Sequence, residues 1–359
     1  MQYLTTGSAI SRRRFLGGMG TSMAGIAAAA ALGPRLIANP RLPEHFETDN
    51  TSLGTVTLAF SWLYDVQQAG SYIAQQRGYY SPVKVNFLPG GDSYAGEPLV
   101  VAGKAICAMT SPTTTAAANN QGADLVLVGA QYQNNPFCVM SLKNKFRLTS
   151  PQDLAGKSVG YGANMTIPWN AFLKVNNLTG KVTSVLTSRN ATILTSGDVD
   201  AYVGWITSDA ISLEVAGESL DTLLFGDWGL KEYSLTYCVQ KAALNDSSKR
   251  AQIKAMLTGE IRGWEADMSD PALGLNLTLD DWGKNLGLNK KQQQLQGVAQ
   301  ITDLISSATT KAHGIFWMSD SDIDKVLKTL SLSEIHANQS LFDNSLLKEI
   351  YQGKTKIPL

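Results

Sequence analysis

Trp62, Tyr64 and Gln67 follow directly on an alternating apolar run, Val56, Leu58 and Phe60, so an aromatic and amide cluster leaves the end of a strand. Further along, Gly90 with Gly91, Thr110 with Ser111, Tyr132 with Gln133, Asn164 with Thr166, and Trp205 stand after short apolar runs of the same kind, while Tyr237 lies within one. Aromatic faces stack on a flat ring, amides and hydroxyls donate and accept, and glycines let backbone amides approach closely. Such a set holds a solute without transforming it. A tryptophan at a strand end packs a core or rim about as readily, and a Gly-Gly pair also makes an ordinary turn.

The residues for catalysis or metal binding are scarce. Only His45, His313 and His336 occur, in no ligating spacing, and the three cysteines, Cys107, Cys138 and Cys238, are too few and too far apart for a disulfide scaffold or a zinc cluster. CxxC, P-loop and HExxH patterns are all missing from the sequence. No cofactor or metal is expected. Lys plus Arg equals Asp plus Glu, at 30 each, which argues against a nucleic-acid partner because counterion release needs a net basic field. The loops also lack the arginine cluster with which a closed site meets nitrate, sulfonate or phosphate. Aromatic and amide groups dominate them and favour an uncharged heteroaromatic ring.

Ser11 to Leu16 reads SRRRFL and leads into a mildly apolar, glycine-diluted run from Phe15 to Leu32. That pattern is weak for a membrane span and suits a removable twin-arginine export signal over residues 1–38, with a Pro- and Asn-rich linker over 39–53. The alternative is a short basic tail on a cytosolic chain. An exported protein is expected at the periplasmic or extracellular face, touching the membrane only through a partner.

The remaining roughly 320 residues suffice for two lobes. Strands are expected near Val56–Phe60, Val83–Phe87, Ala105–Met109 and Leu125–Ala130, with helices between them, and the pattern restarts at Lys157–Tyr161, Val182–Leu186 and Ala201–Trp205. Alternation of this kind predicts parallel-rich sheets flanked by helices, whose strand-end loops share one edge. Two similar apolar segments, around Cys138 and Cys238, are read as crossings between the lobes, dividing the chain into 54–137 (lobe 1), 138–240 (lobe 2) and 241–359 (a helical return to lobe 1). Were those segments neighbouring strands, Cys138 and Cys238 would come within disulfide range; two buried free thiols are the alternative. In the last block Leu295, Val298, Ile301 and Leu304 keep a helical period, and the stretch from Leu330 to Gln352 is expected to form the last helix.

The run from Trp62 to Gly91, with VVAGKAICAMTSPT behind it, resembles the start of periplasmic solute-binding proteins of the nitrate, sulfonate and taurine class, and more narrowly the thiamine-pyrimidine branch. DLAGKSVGYG at Asp153, GDVDAYVGW at Gly197 and IRGWEADMSDPALGL at Ile261 extend the resemblance over most of residues 54–300. It implies a two-lobed, type II periplasmic binding fold and a monomer that closes about a hinge on a thiamine-pyrimidine precursor or flavin-like solute and docks on an ABC permease with its ATPase. It places ligand contacts at Trp62, Tyr64 and Gln67, although the family commonly has proline at Tyr64. A sulfonate-, nitrate- or taurine-type anion binder is one alternative. A pyrimidine-synthase-like enzyme is another, but the loop after Trp62 has no histidine and the chain has no cysteine run.

Overall fold

The computed structural model describes residues 52–91, 95–188 and 190–358. The export signal and nearly all of the linker lie outside them. Two five-stranded sheets organise the described chain. In the first, β1 (Thr55–Ala59), β2 (Lys84–Leu88) and β3 (Cys107–Thr110) run parallel, and β4 (Leu125–Tyr132) with β10 (Ser234–Gln240) completes the order β2-β1-β3-β10-β4. The second has the order β7-β6-β8-β5-β9, from β5 (Phe137–Leu142), β6 (Ser158–Gly162), β7 (Thr183–Thr187), β8 (Ala201–Trp205) and β9 (Leu220–Leu224).

Each sheet contains one strand delivered by the other lobe. β5 enters the second sheet antiparallel to β8 and β9, and β10 returns to the first antiparallel to β3 and β4. The segments read as crossings are therefore buried strands, and the crossings are the connections before them, residues 133–136 and 229–233. Ser234–Gln240 belongs to the first lobe, not to the end of the second. Cys138 and Cys238 accordingly sit in different sheets, and all three cysteines are free and buried, so the disulfide is excluded.

The helices are α1 (Ala69–Gln76), α2 (Gly96–Val101), α3 (Pro112–Asn120), α4 (Thr166–Val175), α5 (Thr192–Ser196), α6 (Ile211–Val215), α7 (Ser247–Ser269), α8 (Pro271–Leu277), α9 (Lys290–Ala299), α10 (Ala308–His313), α11 (Asp320–Leu332) and α12 (Ser345–Tyr351). The expected last helix is thus broken: α11 ends at Leu332, and α12 begins afresh at Ser345 after a turn around Gln339–Leu341. The long α7 lies against α1 so closely that a Cβ on Gly263 would stand 2.0 Å from the Gly70 carbonyl. This approach buries Ile253, Ile261 and Trp264 with Phe60, Tyr72 and Tyr237 in the first lobe's main core. The second lobe packs around Trp169, Phe172 and Phe225, with Phe172 and Phe225 stacked at 4.4 Å. No helix of the described residues is long and apolar enough to cross a membrane.

Candidate functional site

A cavity of about 190 Å³ lies between the sheets, and the topology explains its lining. Parallel strands bring their C-terminal ends to it: Ser61 and Trp62 beyond β1, Thr110 and Ser111 at β3, Asn164 beyond β6 and Trp205 at β8. The antiparallel incoming strands bring their starts, Phe137 of β5 and Ser234 and Leu235 of β10. All meet at one edge of each sheet, where ligands of open α/β folds bind. Leu235 holds a left-handed backbone, φ 48°, rare and costly for a branched side chain and concentrated at functional sites.

Of the residues singled out from the sequence, Trp62, Gln67, Gly91, Thr110, Ser111, Asn164 and Trp205 line this cavity. The other six do not. Tyr64 points into the first core, where its hydroxyl donates to the Phe87 carbonyl at 3.3 Å, its ring meets Trp282 at 5.3 Å, and burial pushes its pKa to about 12. Gly90 is packed so tightly beneath Trp62 that a Cβ would stand 2.5 Å from the Phe60 carbonyl oxygen; it shapes the loop and donates its N–H to the Trp62 carbonyl at 2.9 Å. Tyr132 is buried, donates to Gln300 Oε1 at 2.7 Å and meets Trp205 edge-on at 6.5 Å, so it backs the site without facing it. Gln133 is buried in the first crossing, with its N–H donated to the Leu304 carbonyl at 2.7 Å. Thr166 donates to the Ala163 carbonyl at the start of α4. Tyr237 donates to Glu260 Oε2 at 2.7 Å deep in the core, where Tyr80 and Ser71 also donate to that carboxylate.

Two of the lining residues that the sequence does not single out are carboxylic acids. Glu97 of α2 and Glu232 of the second crossing are 6% and 4% exposed. Glu232 Oε1 accepts the Thr113 N–H at 2.9 Å, and burial raises its pKa to about 7. Glu97 Oε1 accepts from Thr115 Oγ1 at 3.2 Å, and Thr115 is linked in turn to Thr110 at 2.9 Å; burial raises the Glu97 pKa as well. Neither Glu stands in a recognisable motif, so nothing short of the fold marks them. Among the described lining residues there is no Lys, Arg or His. No group of three or more described His, Cys, Asp or Glu side chains is placed to hold a metal.

The turn that brings Gln67 to the cavity is set from behind. Asp65 caps the short turn Val66–Gln68, and Gln67 Nε2 donates to Ser61 Oγ at 3.0 Å. Val66 N–H donates to Gln293 Oε1 at 2.9 Å, Gln300 Nε2 donates to the Val66 carbonyl at 2.8 Å, and Gln296 Nε2 donates to Asp65 Oδ2 at 3.2 Å.

No curated protein matches this chain in sequence. Among solved structures, the ligand-binding component of an ABC-type import system from Staphylococcus aureus, with zinc bound, superposes with a TM-score of 0.59 at 12% identity over 82% of this chain and 98% of the other. The periplasmic aliphatic sulphonate binding protein SsuA from Escherichia coli gives 0.58 at 15% identity over 80% and 96%. The desulfurization enzyme DSZB gives 0.52 at 12% identity over 82% and 98%. At such identities the likeness establishes the periplasmic-binding-protein fold, which carries binders and an enzyme alike. The NMT1/THI5-like family model matches residues 65–273, from the turn behind Trp62 through both crossings and α7, and the chain belongs to that family.

Proposed function

We propose that this protein is the extracytoplasmic solute-binding component of an ABC-type importer, and that it captures a small heteroaromatic solute presenting hydrogen-bond donors, of the thiamine-pyrimidine or flavin-like kind. The observation that carries the reading is a cavity with Trp62 and Trp205 contributed by opposite lobes and two buried carboxylates, Glu97 and Glu232, as the only ionisable acids or bases among its described lining residues. Trp62 and Trp205 offer stacking faces, Gln67, Asn164 and the Thr110 and Ser111 hydroxyls fix orientation, and the carboxylates accept ring N–H or amino donors. Contacts made by both lobes link solute affinity to closure about residues 133–136 and 229–233, the form a permease with its ATPase would recognise. The twin-arginine segment supports the extracytoplasmic location.

The name of the sulphonate-binding neighbour favours an anion instead. Against it stands the chemistry of the described lining residues, which offer an anion two carboxylates and no cation. The enzyme reading finds no histidine or cysteine among the described lining residues. Calorimetry with 4-amino-5-hydroxymethyl-2-methylpyrimidine, riboflavin, ethanesulfonate and nitrate tests the proposal. Saturable binding of a ring solute is expected; preferential binding of ethanesulfonate or nitrate, or turnover of the ring solute, would overturn it.

A further inference from the structure

The first turn of α3 faces the cavity, and a helix N-terminus is ordinarily an anion site because its leading N–H groups lack intrahelical acceptors. Here each of those groups is accounted for. Pro112 has no N–H, Thr113 donates to Glu232 Oε1 at 2.9 Å, and Thr114 donates to the capping Ser111 Oγ at 3.2 Å. Thr115 donates to the Ser111 carbonyl at 3.0 Å. Glu232 reaches this helix from the second crossing, far away in sequence, and lies almost wholly out of solvent.

We infer that Glu232 is the specificity-determining residue of the cleft: its carboxylate occupies the helix terminus as a resident anion, excludes sulfonates and other small oxyanions, and restricts the solute to molecules that donate hydrogen bonds or carry positive charge. An oxyanion entering the cavity meets no free first-turn amide on α3 and two carboxylates of its own sign, Glu97 and Glu232. An amino group or protonated ring nitrogen meets the same carboxylates as acceptors. The inference deepens the proposed function and rests on that cavity being the solute site.

The test uses the mature protein, with ethanesulfonate and 4-aminopyrimidine as probes, at alkaline pH by calorimetry. Wild type is expected to ignore ethanesulfonate. Glu232→Ala, which frees the Thr113 N–H and removes the charge, is expected to bind it at least about tenfold more tightly, and Glu232→Gln, which keeps an acceptor on that N–H, about threefold. Addition of Trp62→Ala to Glu232→Ala is expected to reverse the gain. Equal sulfonate affinity in wild type and Glu232→Ala, or a gain that survives Trp62→Ala, overturns the inference. Should Glu232→Ala fail to melt cooperatively, Glu232→Gln decides alone, and no gain in it overturns the inference. A gain of sulfonate binding in the variants with no 4-aminopyrimidine binding by wild type upholds the exclusion role and counts only against the ring-solute reading.

Discussion

Asn135 Nδ2 donates to the Leu230 carbonyl at 2.8 Å, so a single buried side chain ties the first crossing between the lobes to the second. Its Oδ1 also accepts the Phe137 N–H at 3.1 Å, fixing the entry into β5. The two crossings are therefore a stapled pair of segments. The C-terminal block grips both from outside, through Leu304 to Gln133 and through Thr329 Oγ1, which donates to the Lys231 carbonyl at 2.6 Å.

Asn135→Ala removes the staple and leaves the Leu230 carbonyl and Phe137 N–H without those partners. Losing buried hydrogen bonds of this kind is expected to cost about 1–3 kcal/mol in urea unfolding. Small-angle scattering of the solute-free protein is expected to show a larger mean radius as the lobes separate more freely. An unchanged profile with unchanged stability would mean that the crossings are held by their outer contacts alone.

Trp62 lines the cavity and is only partly buried, so its truncation touches the site more than the core. Trp62→Ala is expected to weaken ring-solute binding by about 1 kcal/mol or more through lost stacking, with little change in melting temperature. Gly90→Ala is expected to lower both, because its new Cβ collides with the backbone of Phe60 and Ser61 and must displace the loop that carries Trp62. Calorimetry and thermal melting of the two variants separate a contact from a support.

Burial raises the pKa of Glu232 and of Asp267 to about 7. In the unfolded chain both titrate near ordinary carboxylate values, so between about pH 4 and 7 the folded state holds more protons than the unfolded state, and stability falls as pH rises through that window. Above about pH 7 the loss is complete. For Glu232 alone the difference is on the order of 3 kcal/mol. Asp153, Asp200 and Asp221 have lowered pKa values from backbone and side-chain hydrogen bonds, and they oppose this only in stronger acid, where their contribution is lost. Urea unfolding at several pH values is expected to show the decline, and Glu232→Gln is expected to flatten it. A wild-type profile level from pH 5 to 8 would contradict it.

Local pattern carried much of the architecture. Alternating or continuous apolar runs marked nine of the ten described strands, most of which bury side chains in the core, from every residue of β4 to one residue of β2, while β7 has no buried residue. β9 escaped because Asp221 and Thr222 interrupt its pattern: Asp221 faces out to Arg147 at 2.7 Å on an edge strand. α3 was hidden by its Thr, Ala and Asn composition, which shows no apolar stripe. The lobe to which Ser234–Gln240 belongs depends on pairing with β3 and β4, a long-range choice that no local pattern records. Trp62, Gln67 and Thr110 were legible because they follow strands. Glu97 and Glu232 were not, since a carboxylate in a sequence looks solvated until the fold buries it.

The clearest inversion is α9 and the turn that follows it. Helical period assigns Leu295 and Val298 to the interior, yet they are 37% and 47% exposed, while Gln293, Gln296 and Gln300 are at most 3% exposed. The glutamines turn inward because the turn Asp65–Gln68 presents backbone N–H, carbonyl and carboxylate groups that need partners once buried. Gln300 alone serves two, the Val66 carbonyl and the Tyr132 hydroxyl. Gln300→Leu matches the apparent apolar period but strands both, so it is expected to destabilise the protein by about 2–4 kcal/mol despite its greater hydrophobicity. Because Tyr132 backs Trp205 and Val66 precedes Gln67, solute affinity is expected to fall as well, although Gln300 does not line the cavity. Val298→Gln, on the exposed face, is expected to leave both unchanged. Paired unfolding and calorimetry would reject this account if Gln300→Leu proved as stable as wild type.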